Sequence, residues 1–164
     1  MNKKILFLFG LIIFITGCSS SPTQVIKTKI NLDISKCKIE NKIDEHAFNG
    51  DGDYFIKANC SESPDDILNQ LSDWKNLPFS ENLQIMMYGG KKGTTTYGHR
   101  LAEKIGIPLI ENGYYYFVDR FAKKYNDIED IYSDEALLDR SSFNFTIAIY
   151  DTDNDLLYYY EFDT

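Results

Sequence analysis

The C-terminal part of the chain shows the clearest alternation of apolar and polar residues. From position 143 to position 149 every second residue is apolar, which is the period of a strand with one buried face. Asp151 to Asp155 (DTDND) is typical of a loop, and a second β-prone run follows from 156 to 162. We therefore predict a C-terminal β-hairpin. The residues predicted to face its core are Phe143, Phe145, Ile147 and Ile149.

The strongest helix signal begins at Ser63. Ser63 is a good N-cap, Pro64 suits the first helical position, and Asp65 and Asp66 suit the positive end of the helix dipole. Apolar residues then recur with a helical period until Pro78 ends the pattern. We predict an amphipathic helix that packs against the sheet. Its apolar face would carry Ile67, Leu68, Leu71 and Trp74.

The remaining elements complete the predicted fold. Runs rich in β-forming residues predict strands over 53–60, 82–88 and 114–121. Apolar residues at every fourth position predict a short helix over 97–105, which Gly106 would end. Residues 122–141 are polar and acidic, with at most a short helix after Ser133. The prediction is an α+β domain with a mostly antiparallel sheet, one main amphipathic helix packed on it and the C-terminal hairpin.

The N-terminus has a different pattern. Lys3 and Lys4 precede an apolar run from Ile5 to Ile15 that only Gly10 interrupts. Its length fits a secretory signal core of about 7–15 residues and falls short of the ~20 residues that a membrane-spanning helix needs. The run ends in Ile15-Thr16-Gly17-Cys18, which three serines follow. This N-terminus resembles those of bacterial lipoproteins, and Ile15-Thr16-Gly17-Cys18 resembles their lipobox.

The resemblance, which covers residues 1–20 only, implies a lipid anchor and a location in the cell envelope. It implies that residues 1–17 are a signal peptide, that cleavage follows Gly17, and that Cys18 receives a diacylglyceryl thioether. Ser19, rather than Asp, follows the cysteine, which in that family implies transfer to the periplasmic face of the outer membrane in a host with two membranes. The polar residues 18–30 would be the lipidated N-terminus and a tether, and residues 31–164 would form a single domain.

Composition and charge narrow the function. The 164 residues carry 17 basic and 25 acidic side chains, a net charge of -8. Removing residues 1–17 takes away Lys3 and Lys4 and no acidic residue, so the exported part has a net charge of -10. An acidic chain repels phosphate backbones, and basic residues cluster no further than in pairs. These features argue against nucleic-acid binding.

The two cysteines that remain after Cys18 are Cys37 and Cys60. In an exported chain such a pair usually forms a disulfide, which is our prediction. A metal site is the weaker alternative because the chain offers only His46 and His99 as further nitrogen ligands. A nucleophilic thiol would need a basic partner that the neighbouring sequence does not provide.

Two features suggest an interaction surface. Tyrosine occurs 12 times, with triplets at 114–116 and 158–160. If one sheet face is open, Tyr115 and Tyr159 would display rings there for protein or sugar contacts; the alternative is that both faces are covered. Lys91 and Lys92 lie in a glycine-rich stretch without phosphate-loop spacing, where they could contact a ligand or belong to a plain connection.

Motifs for catalysis and metal binding are weak. No GxSxG or HExxH is present, and neither His99 beside Arg100 nor His46 near Asp44 defines a catalytic site. The Asp151 to Asp155 loop has alternating acids but lacks the glycine and glutamate of an EF-hand. We assign no catalytic residue, no metal and no cofactor.

The sequence therefore predicts a membrane-anchored cell-envelope lipoprotein that acts as a binding or interaction protein. One form of this hypothesis is a role in envelope assembly through a protein partner. Another is an inhibitor or immunity-type protein for a basic partner, since an acidic domain captures basic proteins rapidly. The alternative class is an envelope hydrolase acting on peptidoglycan or lipid.

Overall fold

The computed structural model describes residues 20–47, 50–121 and 130–164. The predicted signal peptide and Cys18 lie outside these residues. The described helices are α1 (Pro22–Ile30), α2 (Pro64–Leu68), α3 (Glu81–Tyr88), α4 (Leu101–Ile105) and a 3-10 helix at Leu137–Asp139. The described strands are β1 (Lys38–His46), β2 (Gly52–Asn59), β3 (Lys75–Asn76), β4 (Gly90–Lys92), β5 (Thr95–Tyr97), β6 (Gly113–Asp119), β7 (Asn144–Asp151) and β8 (Leu156–Asp163).

A six-stranded antiparallel sheet organises the described part of the chain. Its strand order is β1-β2-β8-β7-β6-β3, while β4 and β5 form a separate two-stranded hairpin. The predicted C-terminal hairpin, β7 and β8, lies in the middle of the sheet, where Ala148 is opposite Tyr159. The α+β class and the mostly antiparallel sheet are confirmed.

Both faces of the sheet are covered, so the protein has two apolar layers. Ile147 and Ile149 point into one layer together with α3, α4 and the 3-10 helix. Ala148 and Tyr150 point into the other layer, which α1 and residues from α2 to Trp74 cover. A strand buried on both faces loses its polar alternation, and β7 is buried from Phe145 onward. Phe143, Phe145, Ile147 and Ile149 are buried as predicted.

Residues 82–88, predicted as a strand, belong instead to helix α3. The Ser80 hydroxyl accepts a hydrogen bond from the Leu83 backbone N–H at 3.2 Å, which caps the helix. Leu83, Met86 and Met87 are buried against the sheet. A short apolar run fits a buried helix as well as a strand, and here the cap decides.

The predicted tether is also corrected. Residues 22–30 form α1, which the Ser21 side chain caps and Pro22 begins. Ile26 and Ile30 are buried in the second apolar layer. The folded domain therefore includes α1 and does not begin at residue 31.

The predicted amphipathic helix is shorter than the pattern suggested. It ends at Leu68, and turns carry the chain from there to β3. Ile67, Leu71 and Trp74 are buried as predicted, whereas Leu68 is exposed. The same segment thus packs on the sheet and then joins its edge as β3.

The predicted disulfide between Cys37 and Cys60 is confirmed. It joins the turn before β1 to the end of β2, and both cysteines belong to the second apolar layer. β1 itself was not predicted, because it is a largely exposed edge strand with mostly polar residues.

Candidate ligand-binding cleft

The predicted aromatic surface is not where the sequence placed it. Tyr115 is 5% exposed and Tyr159 is 0% exposed. Helices cover both faces of the sheet, so the covered-face alternative is correct for these residues. Neither ring is therefore displayed on an open face of the sheet.

The predicted basic loop is a β-hairpin. Lys91 and Lys92 are exposed on β4, and the Lys92 Nζ lies 2.7 Å from the Asn82 Oδ1. This hydrogen bond attaches the hairpin to α3. Neither lysine lines the open cleft that lies beside β6.

The two histidines lie in different surroundings. The His99 ring packs edge-on against Phe143, with 5.4 Å between ring centroids. The His46 Nδ1 lies 3.0 Å from a carboxylate oxygen of Asp44, and its Nε2 lies 3.6 Å from Asp163. His46 therefore belongs to an ion-pair network on the sheet, and neither histidine lines the cleft.

The cleft has a volume of about 560 Å³ and lies where α1 ends, beside β6 at the edge of the main sheet. This volume is within the usual range for small-molecule sites. The residues that line it are Thr28, Lys29, Ile30, Asn31, Gln70, Asp73, Trp74, Lys75, Tyr115, Tyr116, Phe117 and Tyr132. The lining combines aromatic rings with amides, lysines and a carboxylate.

Three rings form an aromatic wall in the cleft: Trp74, Tyr116 and Tyr132. The centroids of Trp74 and Tyr116 are 5.8 Å apart, and those of Tyr116 and Tyr132 are 5.9 Å apart. Tyr132 is 46% exposed. Burial, followed by the hydrogen bond with Tyr132, raises the pKa of Tyr116 to about 12. The wall therefore carries a phenol that stays protonated at neutral pH.

Hydrogen bonds hold two of the polar side chains around the wall, Gln70 and Lys75. The Gln70 Oε1 accepts from the Asp33 backbone N–H at 2.8 Å, and its Nε2 donates to the Asp66 carbonyl oxygen at 2.7 Å. The Lys75 Nζ donates to the Tyr132 carbonyl oxygen at 3.2 Å. The bonds to Asp33 and Tyr132 fix the cleft walls, since each joins segments that are distant in the sequence.

Lys29 connects the cleft to a charged network on the second face of the sheet. Its Nζ lies 3.7 Å from Glu161, a buried carboxylate that also accepts from the Tyr159 hydroxyl. Arg120 lies 3.6 Å from Glu161 and 3.0 Å from Asp163. The network thus balances the buried carboxylate of Glu161 and the partly exposed one of Asp163 with cations.

His46 gives this network a dependence on pH. Its hydrogen bond with Asp44, supported by Asp163, raises the pKa of His46 above 6.5 despite partial burial. A raised pKa in the folded state stabilises the fold at pH values below 6.5, and this contribution is lost as the pH rises through the folded-state pKa. We expect the free energy of unfolding to decline over that window.

The test variant is His46→Gln, and His99→Gln is its matched control. Urea unfolding at a series of pH values should show the decline in the His99→Gln variant and a shallower one in the His46→Gln variant. Identical pH profiles for both variants would contradict the assignment to His46.

The described residues show neither a metal cluster nor a membrane-spanning helix. Within residues 20–47, 50–121 and 130–164, no group of three or more His, Cys, Asp or Glu side chains could hold a metal ion. No helix in those ranges is long and apolar enough to cross a membrane. In the 151–155 loop, the Asp151 Oδ1 accepts from the backbone N–H groups of Asp153 and Asn154 at 3.0 and 3.3 Å.

Comparison with known proteins adds no relative. The chain matches no protein-family model, no curated protein and no solved structure. Its function is therefore inferred from the N-terminal residues and from the cleft.

The sequence did not identify the aromatic wall. Its rings come from separate segments. On β6, the Tyr116 ring packs against Trp74 and Tyr132, whereas the Tyr115 ring packs against Phe79. The tyrosine triplet and the single tryptophan were visible signals. These rings come together at one cleft because β3 pairs with β6 at the edge of the sheet.

Proposed function

We propose that the protein is a lipid-anchored protein of the cell envelope that binds a ligand in the aromatic cleft. The observation that carries the proposal is the cleft itself, an open concavity of about 560 Å³ lined by Trp74, Tyr116, Tyr132 and polar side chains. Concave sites that combine aromatic surface with a few polar groups are typical of ligand binding.

The anchor is proposed from the N-terminal resemblance. In this proposal residues 1–17 are removed and the thiol of Cys18 carries a diacylglyceryl group. One acyl chain gives only marginal membrane binding, whereas two chains hold a protein stably. The proposed location is the periplasmic face of the outer membrane in a host with two membranes.

Metabolic labelling with radioactive palmitate tests the anchor. We expect the wild-type protein to be labelled and the Cys18→Ala variant to lose the label, because the proposed thioether forms on that sulfur. Ser19→Ala is the matched control and should keep the label. Equal labelling of wild type and Cys18→Ala would contradict the lipoprotein assignment.

Fluorescence of Trp74 tests ligand binding even while the ligand is unidentified. Trp74 is the single tryptophan of the chain and lines the cleft. The full chain in detergent micelles would be titrated with muramidase-digested peptidoglycan, with an envelope lipid extract and with a periplasmic protein extract. We expect a saturable change with at least one fraction, and its weakening in the Tyr132→Ala variant. No change with any fraction would overturn the proposal.

A basic protein partner is the second form of the same proposal. The exported part of the chain has a net charge of -10, and electrostatic capture of a basic partner weakens as salt increases. A response to the protein extract alone that weakens with added salt would favour this form.

A further inference from the structure

On the side of β6 that faces away from β7, one residue lies between two hydrogen-bonded attachments and has no neighbouring strand. β3 consists of Lys75 and Asn76, which pair with Tyr115 and Tyr114 of β6. Further along β6, the Asp119 N–H donates to the Ile131 carbonyl oxygen at 2.7 Å. Phe117 lies between these two attachments, and it lines the cleft.

The backbone groups of Phe117 point into the gap between these two attachments. In an antiparallel strand, the N–H and C=O of every second residue point to the same side. The Asp119 N–H points away from β7 to reach Ile131, and β6 has no register shift against β7. The N–H and C=O of Phe117 therefore also point away from β7.

These two groups have no protein partner among the described residues. Pairing with β3 stops at Tyr115, and the turn and loop hydrogen bonds of the described chain do not include Phe117. Phe117 is 3% exposed. Buried backbone donors and acceptors are nearly always paired, so this position calls for a partner that supplies both an acceptor and a donor.

The neighbouring side chains restrict what that partner can be. The aromatic wall offers ring faces, and the rim carries the exposed polar residues Asn31 and Asp73. A purely apolar ligand would leave the Phe117 groups unsatisfied. A ligand that suits this cleft has an apolar face for the rings and polar groups that both accept and donate hydrogen bonds at Phe117.

An extended peptide fits this geometry less well than a sugar. A peptide added as a strand pairs with a series of alternate residues. On one side of Phe117, however, Tyr115 already pairs with Lys75, and on the other side the Asp119 N–H already donates to Ile131. A sugar ring presents separate hydroxyls, each able to donate and to accept, and its C–H face can pack on an aromatic ring.

We propose that the cleft binds a saccharide, with one sugar ring against the aromatic wall and its polar groups on the N–H and C=O of Phe117. The Asp73 carboxylate and the Asn31 amide receive further hydroxyl groups at the rim. This inference rests on the proposed function and names the ligand class of the same cleft.

The test uses two uncharged trisaccharides, N,N′,N″-triacetylchitotriose and cellotriose, which share their linkage and differ in the acetamido group. Each would be added to the full chain in detergent micelles while Trp74 fluorescence is recorded. We expect at least one of them to give a saturable change. An N-acetylated, C-amidated tripeptide is the comparison ligand, and we expect no response to it.

Two surface variants and a control locate the site. We expect Tyr132→Ala to weaken trisaccharide binding about threefold to tenfold, the usual value of one aromatic contact. Asp73→Ala should weaken it about tenfold or more, because it removes a charged hydrogen-bond acceptor. Leu109→Ala is the control, since Leu109 is 64% exposed and does not line the cleft. Its affinity should equal that of the wild type.

Amide NMR of the ¹⁵N-labelled chain tests the role of Phe117 directly. The Phe117 amide resonance should shift, and its hydrogen exchange should slow, when the trisaccharide binds. The Val118 amide is the internal control, because it points to β7 and should change less. Binding with no change at Phe117 would overturn the assignment of its backbone groups.

The outcomes separate this inference from the proposed function. If neither trisaccharide binds, or if only the tripeptide binds, the saccharide assignment is wrong. A Trp74 response to an envelope fraction would then leave the binding function standing. If no trisaccharide and no fraction gives a response, both proposals are wrong.

Discussion

Replacing Arg140 with methionine should lower the free energy of unfolding by about 3–5 kcal/mol, because the change removes the two-point contact of a guanidinium with the buried carboxylate of Asp119. The Arg140 Nη1 lies 2.6 Å from the Asp119 Oδ2, and its Nη2 lies 2.9 Å from the Oδ1. The Asp119 side chain is 1% exposed and that of Arg140 is 13% exposed. This two-point contact joins the end of β6 to the segment before β7.

Urea unfolding followed by Trp74 fluorescence would measure the effect. Arg100→Met is the matched control, because Arg100 pairs with Glu103 at 3.4 Å on the surface, with side chains 67% and 72% exposed. Exposed pairs contribute at most about 1 kcal/mol. The Asp119→Ala/Arg140→Met double variant should be less destabilised than the sum of its single variants. A loss below about 1 kcal/mol for Arg140→Met would contradict this role.

Removing the Cys37–Cys60 disulfide should lower the free energy of unfolding by about 3.4 kcal/mol. The bond closes a loop with a sequence separation of 23, and constraining the unfolded chain over such a loop gives this value in the chain-entropy model. Domains of this kind are stable by about 5–15 kcal/mol, so the loss would be a large fraction. Alanine is the better replacement, since both cysteines lie in an apolar layer where a serine hydroxyl would be buried.

The measurement is urea unfolding of Cys37→Ala/Cys60→Ala with and without reductant. Cys18→Ala is the control and should unfold as the wild type does. Reductant should lower the stability of the wild type to that of the double variant and leave the double variant unchanged. Equal stability of wild type and double variant under oxidising conditions would show that the bond does not stabilise the fold.

The fold was predictable where a single local pattern was sufficient. The alternation from 143 to 149 placed β7, and the tyrosine-rich run after the loop placed β8. The prediction failed where the same sequence pattern is compatible with two kinds of secondary structure. The apolar residues of α3 fit a strand until the Ser80 cap is considered, and the two buried isoleucines of α1 are too few to mark a helix against its polar background.

The candidate site was less predictable than the fold. The sequence shows that tyrosines are abundant, but the exposed member of the wall, Tyr132, is isolated from both triplets. The gap at Phe117 depends on β3 being only two residues long and on the position of Ile131. These are properties of tertiary structure, and a hydrophobic pattern carries no information about a missing strand pair.

If Cys18 carries the proposed lipid, helix α1 would also limit how far the domain can stand from the bilayer. It begins at Pro22, four residues after the proposed lipid-bearing Cys18, and an extended chain spans at most about 3.6 Å per residue. The first turn of α1 would thus lie within about 14 Å of the backbone of the acylated cysteine. The cleft lies at the other end of this nine-residue helix, about 13 Å further along its axis. The domain would therefore meet its ligand in the layer next to the lipid headgroups and could not reach across the periplasm.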